Sequence, residues 1–161
     1  MLEDVKRFVK NINIYGNEIT EEKVIRNQLE FVEGDSFSTR KLKNSINRIK
    51  STGIFKDTKY KITEEDNNLV SVDLSVEEQP TGSISAGAGY GSTGGLITGS
   101  LSEKNLFGTG IASNIELSLT EDKITGFIDI INPDYKNSGN TLKNSVGTVS
   151  YTHLTLPTSP K

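Results

Sequence analysis

"PTGSISAGAGYGSTGGLITGSLSEKNLFGTG", residues 80–110, decides how the whole chain is read. It holds no apolar run of the roughly 20 residues that a membrane-crossing helix needs. From Gly82 the odd positions Ser83, Ser85, Gly87 and Gly89 are small, while the even positions Ile84, Ala86, Ala88 and Tyr90 are apolar or aromatic. Alternation over about ten residues has the length and parity of a tilted strand crossing a bilayer, apolar side chains outward and small or polar ones inward. "GSTGG" turns the chain; Ile97, Gly99 and Leu101 resume the parity; "EKNLFGTG" breaks it. Ile111, Ile115, Leu117 and Leu119 then alternate with Ala112, Asn114, Glu116 and Ser118. "TEDK" turns, "ITGFIDII" makes a fourth strand, "NPDYKNSGN" turns again, and "TLKNSVGTVSY" offers a fifth. Ile84, Ile97, Ile115 and Leu117 are expected to touch acyl chains.

Upstream of Pro80 the composition differs. The chain has 161 residues and a net charge of −3, yet residues 80–119 carry only Glu103, Lys104 and Glu116 as charges, and most of the rest lie in residues 1–79. Two compositions meeting at a proline predict two units, 1–79 with a core over about 8–78, and 80–148. With no cysteine there are no disulfides and no thiolate metal site. The mildly acidic balance gives no footprint for nucleic acid. "MLEDVKRFVKNINIYG" has no apolar signal-peptide region, so the start of an exported protein is expected to lie elsewhere.

The first unit reads as β-α-α-β-β. Phe8, Ile12 and Ile14 share one parity, and Gly16-Asn17 closes that strand. Thr20 is a candidate helix cap; Ile25, Leu29 and Val32 form one apolar face, ended by Gly34. A second helix is capped by Ser38 or Thr39, repeats its apolar spacing at Leu42, Ile46 and Ile49, and stops at Gly53. "IFKDTKYKI" alternates loosely and "EEDNN" turns. In "VSVDLSVEE", Val70, Val72, Leu74 and Val76 face one side, against Ser71, Asp73, Ser75 and Glu77. Two helices over one face of a three-stranded sheet bury that stripe.

Residues 8–78 carry a resemblance. "F-V-x-x-I-x-x-x-G-N-x-x-T-x-x-x-V-I", then "E-G-D", then "R-x-x-x-x-G-I-F" leading to "V-D-L-S-V-E-E" resembles a POTRA domain, and more narrowly the last one before the barrel in the BamA family. "T-G-S-I-S-A-G-A-G-Y-G … N-L-F-G-T-G" followed by "N-P" resembles the first strands of that family's barrel, although Asp134 stands before Tyr135 where the family has aromatic residues. The fold class implied is an α+β POTRA domain followed by the first four or five antiparallel strands of a truncated transmembrane β-barrel. Membrane strands must close on themselves, so the chain is expected to be a fragment. "VSYTHLTLPTSPK", residues 149–161, breaks the alternation and reads either as translated adapter DNA, which would make it non-native together with His153, or as a turn after the fifth strand.

No enzyme is expected, and neither a catalytic residue, a cofactor nor a metal site. "GAGYGSTGG" lacks the helix that a dinucleotide loop requires, and no G-K-[ST] occurs. Glu64, Glu65 and Asp66 read as a solvated turn. The resemblance makes Gly82, Ile84, Ala86, Gly87, Ala88, Gly89 and Tyr90 the seam strand, or lateral gate, which exposes backbone groups on opening and templates an incoming strand. Small residues lining a narrow lumen explain the same composition. Lys56, Thr58, Lys59, Tyr60 and Lys61 mark a sheet edge, either protected by its lysines or available for docking. Pro80 is read as a hinge between the sheets.

The resemblance implies a Gram-negative outer-membrane protein with its POTRA domain in the periplasm. It would insert and fold barrel proteins by strand templating, without ATP, with unfolded outer-membrane barrels, accessory assembly lipoproteins and the lipid bilayer as partners. Within the superfamily the alternative is a two-partner-secretion or TamA-type translocation transporter. From another class the alternative is a soluble periplasmic binding or adhesin module with a β-sandwich over residues 82–132.

Overall fold

The computed structural model describes residues 6–91 and 94–151. In the first unit, β1 (Phe8–Tyr15), α1 (Glu22–Arg26), α2 (Thr39–Ser51), β2 (Phe55–Glu65) and β3 (Leu69–Glu78) follow in the expected β-α-α-β-β order. The alternating apolar strand β3 is central: β1 pairs with it in parallel and β2 antiparallel. Val70, Val72, Leu74 and Val76 are all buried, and Leu42, Ile46 and Ile49 of α2 close over that stripe with Ile25. Ser38 caps α2, its side chain accepting from the Lys41 amide.

Two local readings are corrected. Val9, not Phe8, is buried with Ile12; Phe8 is 41% exposed. The ladder to β3 steps from Val9 to Asn11, a bulge at Lys10 that moves the inward parity by one residue. The first helix is also shorter than expected, ending at Arg26 and capped by Glu21, whose side chain makes no capping bond. Val32, placed on its apolar face by spacing, is 61% exposed, and Phe31 is buried instead. The amides that would continue the helix are taken elsewhere: Glu30 N–H by Ser45 Oγ and Val32 N–H by Asp35 Oδ2. That exit lets residues 34–37 run along the free edge of β1, with bonds from Val9 N to Asp35 O, Gly34 N to Val9 O and Phe37 N to Arg7 O.

The second unit is a meander of five antiparallel strands: β4 (Gly82–Gly91), β5 (Gly94–Glu103), β6 (Ala112–Thr120), β7 (Lys123–Asn132) and β8 (Leu142–Tyr151). Their register sets one aliphatic residue per strand in a row, Ile84–Leu101–Ile115–Ile128–Val146. Residues paired directly across a ladder share a face, so this row defines an apolar side. A neighbouring row on the other side reads Ser83–Ser102–Asn114–Asp129–Ser145. Ile84, Ile97, Leu117 and Val146 stay more than half exposed. A water-soluble sandwich would have to cover that face with a second sheet; the five strands form one. β8 pairs with β7 through Val149, Ser150 and Tyr151. The remainder of the tail read as adapter sequence, His153 included, lies outside the described residues.

The burial pattern gives a paired expectation. Leu42→Ala, at a fully buried site, is expected to destabilise the α+β unit by about 2–5 kcal/mol. Val32→Ala should stay within about 0.5 kcal/mol. Urea unfolding followed by circular dichroism separates the two, and a large loss at Val32 would restore the longer helix.

Candidate functional site: the first strand of the meander and its joint to the α+β unit

β4 has little side-chain substance. All ten of its residues are exposed, and among the described residues it pairs with β5. Gly82, Ile84, Ala86, Gly87, Ala88, Gly89 and Tyr90 therefore lie together on one strand, with Ile84 and Tyr90 as its large side chains. A Cβ at Gly87 would stand 3.0 Å from Thr98 Oγ1, and one at Gly82 3.1 Å from Glu103 Oε2, whereas Gly89 has open space. The polar face is knitted by side chains: Ser85 Oγ lies 2.6 Å from Ser100 Oγ, Ser102 Oγ donates to Asn114 Oδ1, and Lys143 pairs with Asp129.

The α+β sheet has two edges, and residues 34–37 strap the β1 edge. β2 forms the other. Of its predicted residues, Lys56, Lys59, Tyr60 and Lys61 are exposed, and Thr58 turns inward and is buried. Lys56 pairs with Glu77, and Lys59 reaches Asp57, which Lys50 also approaches. Lys61 stands opposite Asp73.

Pro80 lies between two anchored residues. On one side Gln79 N–H donates to Ile54 O and its side chain to Gly53 O. On the other, Thr81 O accepts from Lys104 N–H and Thr81 Oγ1 donates to Glu103. Sequence reading missed a second tie, built by the turn 105–110. Buried Asn105 donates from Nδ2 to buried Thr20 Oγ1, and its Oδ1 accepts from Gly110 N–H. Glu21 N–H donates to Gly108 O. Gly108 is obligatory here: its φ is +76°, and a Cβ would stand 2.1 Å from Ile19 O. The loop that meets this turn is held from behind by Glu78, whose carboxylate accepts from Ile19 N–H and Thr20 N–H. Burial pushes the Glu78 carboxyl up, but the hydrogen bonds from Thr20, Ile19 and Glu18 outweigh it and hold the group below its ordinary range.

The turn at 134–139 repeats the one at 105–110. Asp134 Oδ1 accepts from Gly139 N–H as Asn105 Oδ1 does from Gly110. Tyr135 N–H donates to Asn140 O as Leu106 N–H does to Ile111 O. Lys136 (φ +57°) takes the left-handed tip position of Phe107 (φ +54°). The signal was present in the sequence, an Asn or Asp five residues ahead of a glycine that follows Thr or Ser, in "NLFGTG" and "DYKNSG".

The POTRA family, described as surface antigen variable number repeat, matches residues 8–79. The outer membrane protein assembly factor BamA of Buchnera aphidicola subsp. Acyrthosiphon pisum is 33% identical over 132 residues, 79% of this chain and 21% of that protein. The protein of the same description from Neisseria meningitidis serogroup B is 30% identical over 137 residues, 83% of this chain and 17% of that protein. The chain thus spans about a fifth of the length of these curated relatives. The crystal structure of BamA from Haemophilus ducreyi lacking POTRA domains 1–3 has the same fold, with a TM-score of 0.81 at 24% identity, over 90% of this chain and 28% of that one.

Gly108→Ala is expected to part the turn from the loop, because the added Cβ meets backbone. Hydrogen exchange should quicken at the Glu21 amide and leave the β6–β7 ladder unchanged; unaltered exchange at Glu21 would refute the tie. Glu78 has a lowered folded-state value, so its contribution is fully present above the ordinary carboxylate range and is lost as pH falls through the lower value. Glu78→Gln should therefore flatten the acid limb of stability, read as urea midpoints between neutral pH and about pH 3.

Proposed function

The chain belongs to the BamA family of outer-membrane assembly factors, and from that premise we propose that its full-length protein recognises unfolded outer-membrane β-barrel proteins and inserts and folds them by strand templating, without ATP. In this reading residues 1–79 are a periplasmic POTRA domain and 80–148 are the first strands of a barrel in the cell outer membrane, with Val149–Tyr151 continuing β8. Accessory assembly lipoproteins are its further partners.

The observation that carries the reading is the run of small side chains in β4, the strand that stands directly after the POTRA connection. Opening a seam costs backbone hydrogen bonds, each worth about 0.5–1.5 kcal/mol net in water and more in lipid. An incoming strand restores those bonds, so exchange of one strand for another is close to balanced. Packing opposes release by about 0.8 kcal/mol per buried CH₂. The glycines and alanines of β4 supply few such groups, so opening sacrifices little. The β2 edge, with Lys56, Lys59, Tyr60 and Lys61 exposed, is a second templating edge upstream, since the β1 edge is strapped. Pro80 is the hinge about which the two units move once the tie at Asn105 is released. No step requires covalent chemistry.

A photo-crosslinking residue at Ser83 or Ser85 in the full-length protein is expected to capture nascent barrel proteins, and one at Ser118, inside the sheet, to capture none. Depletion of the protein should lower porins and other barrels together. Normal porin levels would reject assembly and favour a secretion or translocation role, and equal capture at Ser118 would reject the seam.

A further inference from the structure

Two large apolar side chains at the joint lie outside both cores. Phe107 is 88% exposed at the left-handed tip of its turn, and Ile19 is 72% exposed on the loop held by Glu78. A bulky residue at positive φ is uncommon and carries a conformational cost. Both flank one cleft of about 200 Å³, together with Gly108, Thr81 and Glu103. Glu103 has the parity of Leu101, and its ladder partner Gly82 that of Ile84, so this cleft lies at the end of the apolar face. The other side of the same turn, at Thr109 and Gly110, faces Lys23 and Val24 across a separate cleft of about 360 Å³. Ile19 and Phe107 thus prolong the lipid-facing surface beyond its last ladder row.

We propose that Ile19 and Phe107 form an apolar anchor that enters the headgroup region of the adjoining leaflet, so that a loop of the α+β unit, as well as the barrel wall, contacts lipid. The inference rests on the membrane placement of the sheet proposed above. Its occupant is phospholipid because the patch is continuous with the apolar face and the amides of the 19–21 loop are already met. Ile19 N–H and Thr20 N–H donate to Glu78, Thr20 O accepts from Asn17 Nδ2, and Glu21 N–H donates to Gly108 O. A loop with its amides satisfied internally can approach a bilayer without leaving them unpaired.

Nitroxide labels on Ile19→Cys, Phe107→Cys, Leu117→Cys and Asp66→Cys, each in the full-length protein in vesicles of phosphatidylethanolamine and phosphatidylglycerol, test the anchor. Collision with oxygen relative to a water-soluble nickel chelate is the readout. Leu117 lies mid-strand on the apolar face, and Asp66 at the far turn of the POTRA sheet. The anchor predicts a ratio at positions 19 and 107 several-fold above that at 66 and approaching that at 117. A ratio equal to that at 66, with 117 high, overturns the anchor and leaves the barrel intact. Low collision with both reagents at 19 and 107 means that a protein element covers them, which also overturns it. A low ratio at 117 sinks the membrane placement itself, and the anchor with it. The substituted side chains are exposed and make no part of the tie, and an unchanged circular dichroism spectrum verifies folding.

Discussion

Register is the constraint on which the five-stranded sheet depends. A strand repeats every two residues, so a slip of one position would carry every isoleucine of a strand to the polar face. The row from Ile84 to Val146 survives four successive ladders without such a slip. Turns make this possible. The hairpins β5–β6 and β7–β8 close through the same six-residue geometry, each with an Asn or Asp side chain bonded to a glycine amide five residues on. The intervening β6–β7 turn is short and held by Thr120, whose hydroxyl donates to Asp122 and accepts from Lys123 N–H. Identical turn geometry at one end of the sheet sets both hairpins in phase, and the aliphatic row follows.

One of those turns does a second task that its twin does not. Both have a left-handed tip, but Gly108 follows the tip in the first and Asn137 in the second. Backbone of the 19–21 loop can lie against the first because no Cβ intervenes. Asn105 then satisfies the turn through its Oδ1 and the POTRA loop through its Nδ2, so turn closure and domain docking are coupled in one buried side chain. Buried polar groups stay stable only when paired, so departure of the loop takes from Asn105 Nδ2 its Thr20 partner while Oδ1 still closes the turn.

Much of this was legible in the sequence because period and punctuation are local. The stripe Val70–Val76 and the spacing Leu42–Ile46–Ile49 each report burial within one element, and each is found in the structure, as is a single strand over Gly82–Tyr90. What escaped was set by contacts between distant residues. The inward parity of β1 depends on a bulge at Lys10 that only pairing with β3 defines. The early end of α1 depends on Ser45 and on the strap along β1, elements that follow it in the chain. Thr20 has the chemistry of a helix cap but spends its hydroxyl on Asn105, far along the chain. The small side chains of β4 were legible as composition and the joint was not, since "NLFGTG" reads as an ordinary turn until its partner loop is in place.

The tie at Asn105 changes what a proline between two sheets can do. Proline removes a donor and fixes φ, which interrupts a ladder but does not make a joint free. Here Gln79 and Thr81 are bonded on either side of Pro80, and the 105–110 turn adds buried contacts a full hairpin away. Motion of the POTRA unit therefore cannot be a simple rotation about residue 80. It must first break the Asn105–Thr20 and Glu21–Gly108 bonds, two contacts of about 0.5–1.5 kcal/mol each. Glu78 holds the POTRA side of that pair with an ionised carboxylate, so the loop would keep its shape when the turn departs. Parting at the turn would thus cost few bonds and leave the loop's own hydrogen bonds to Glu78 in place.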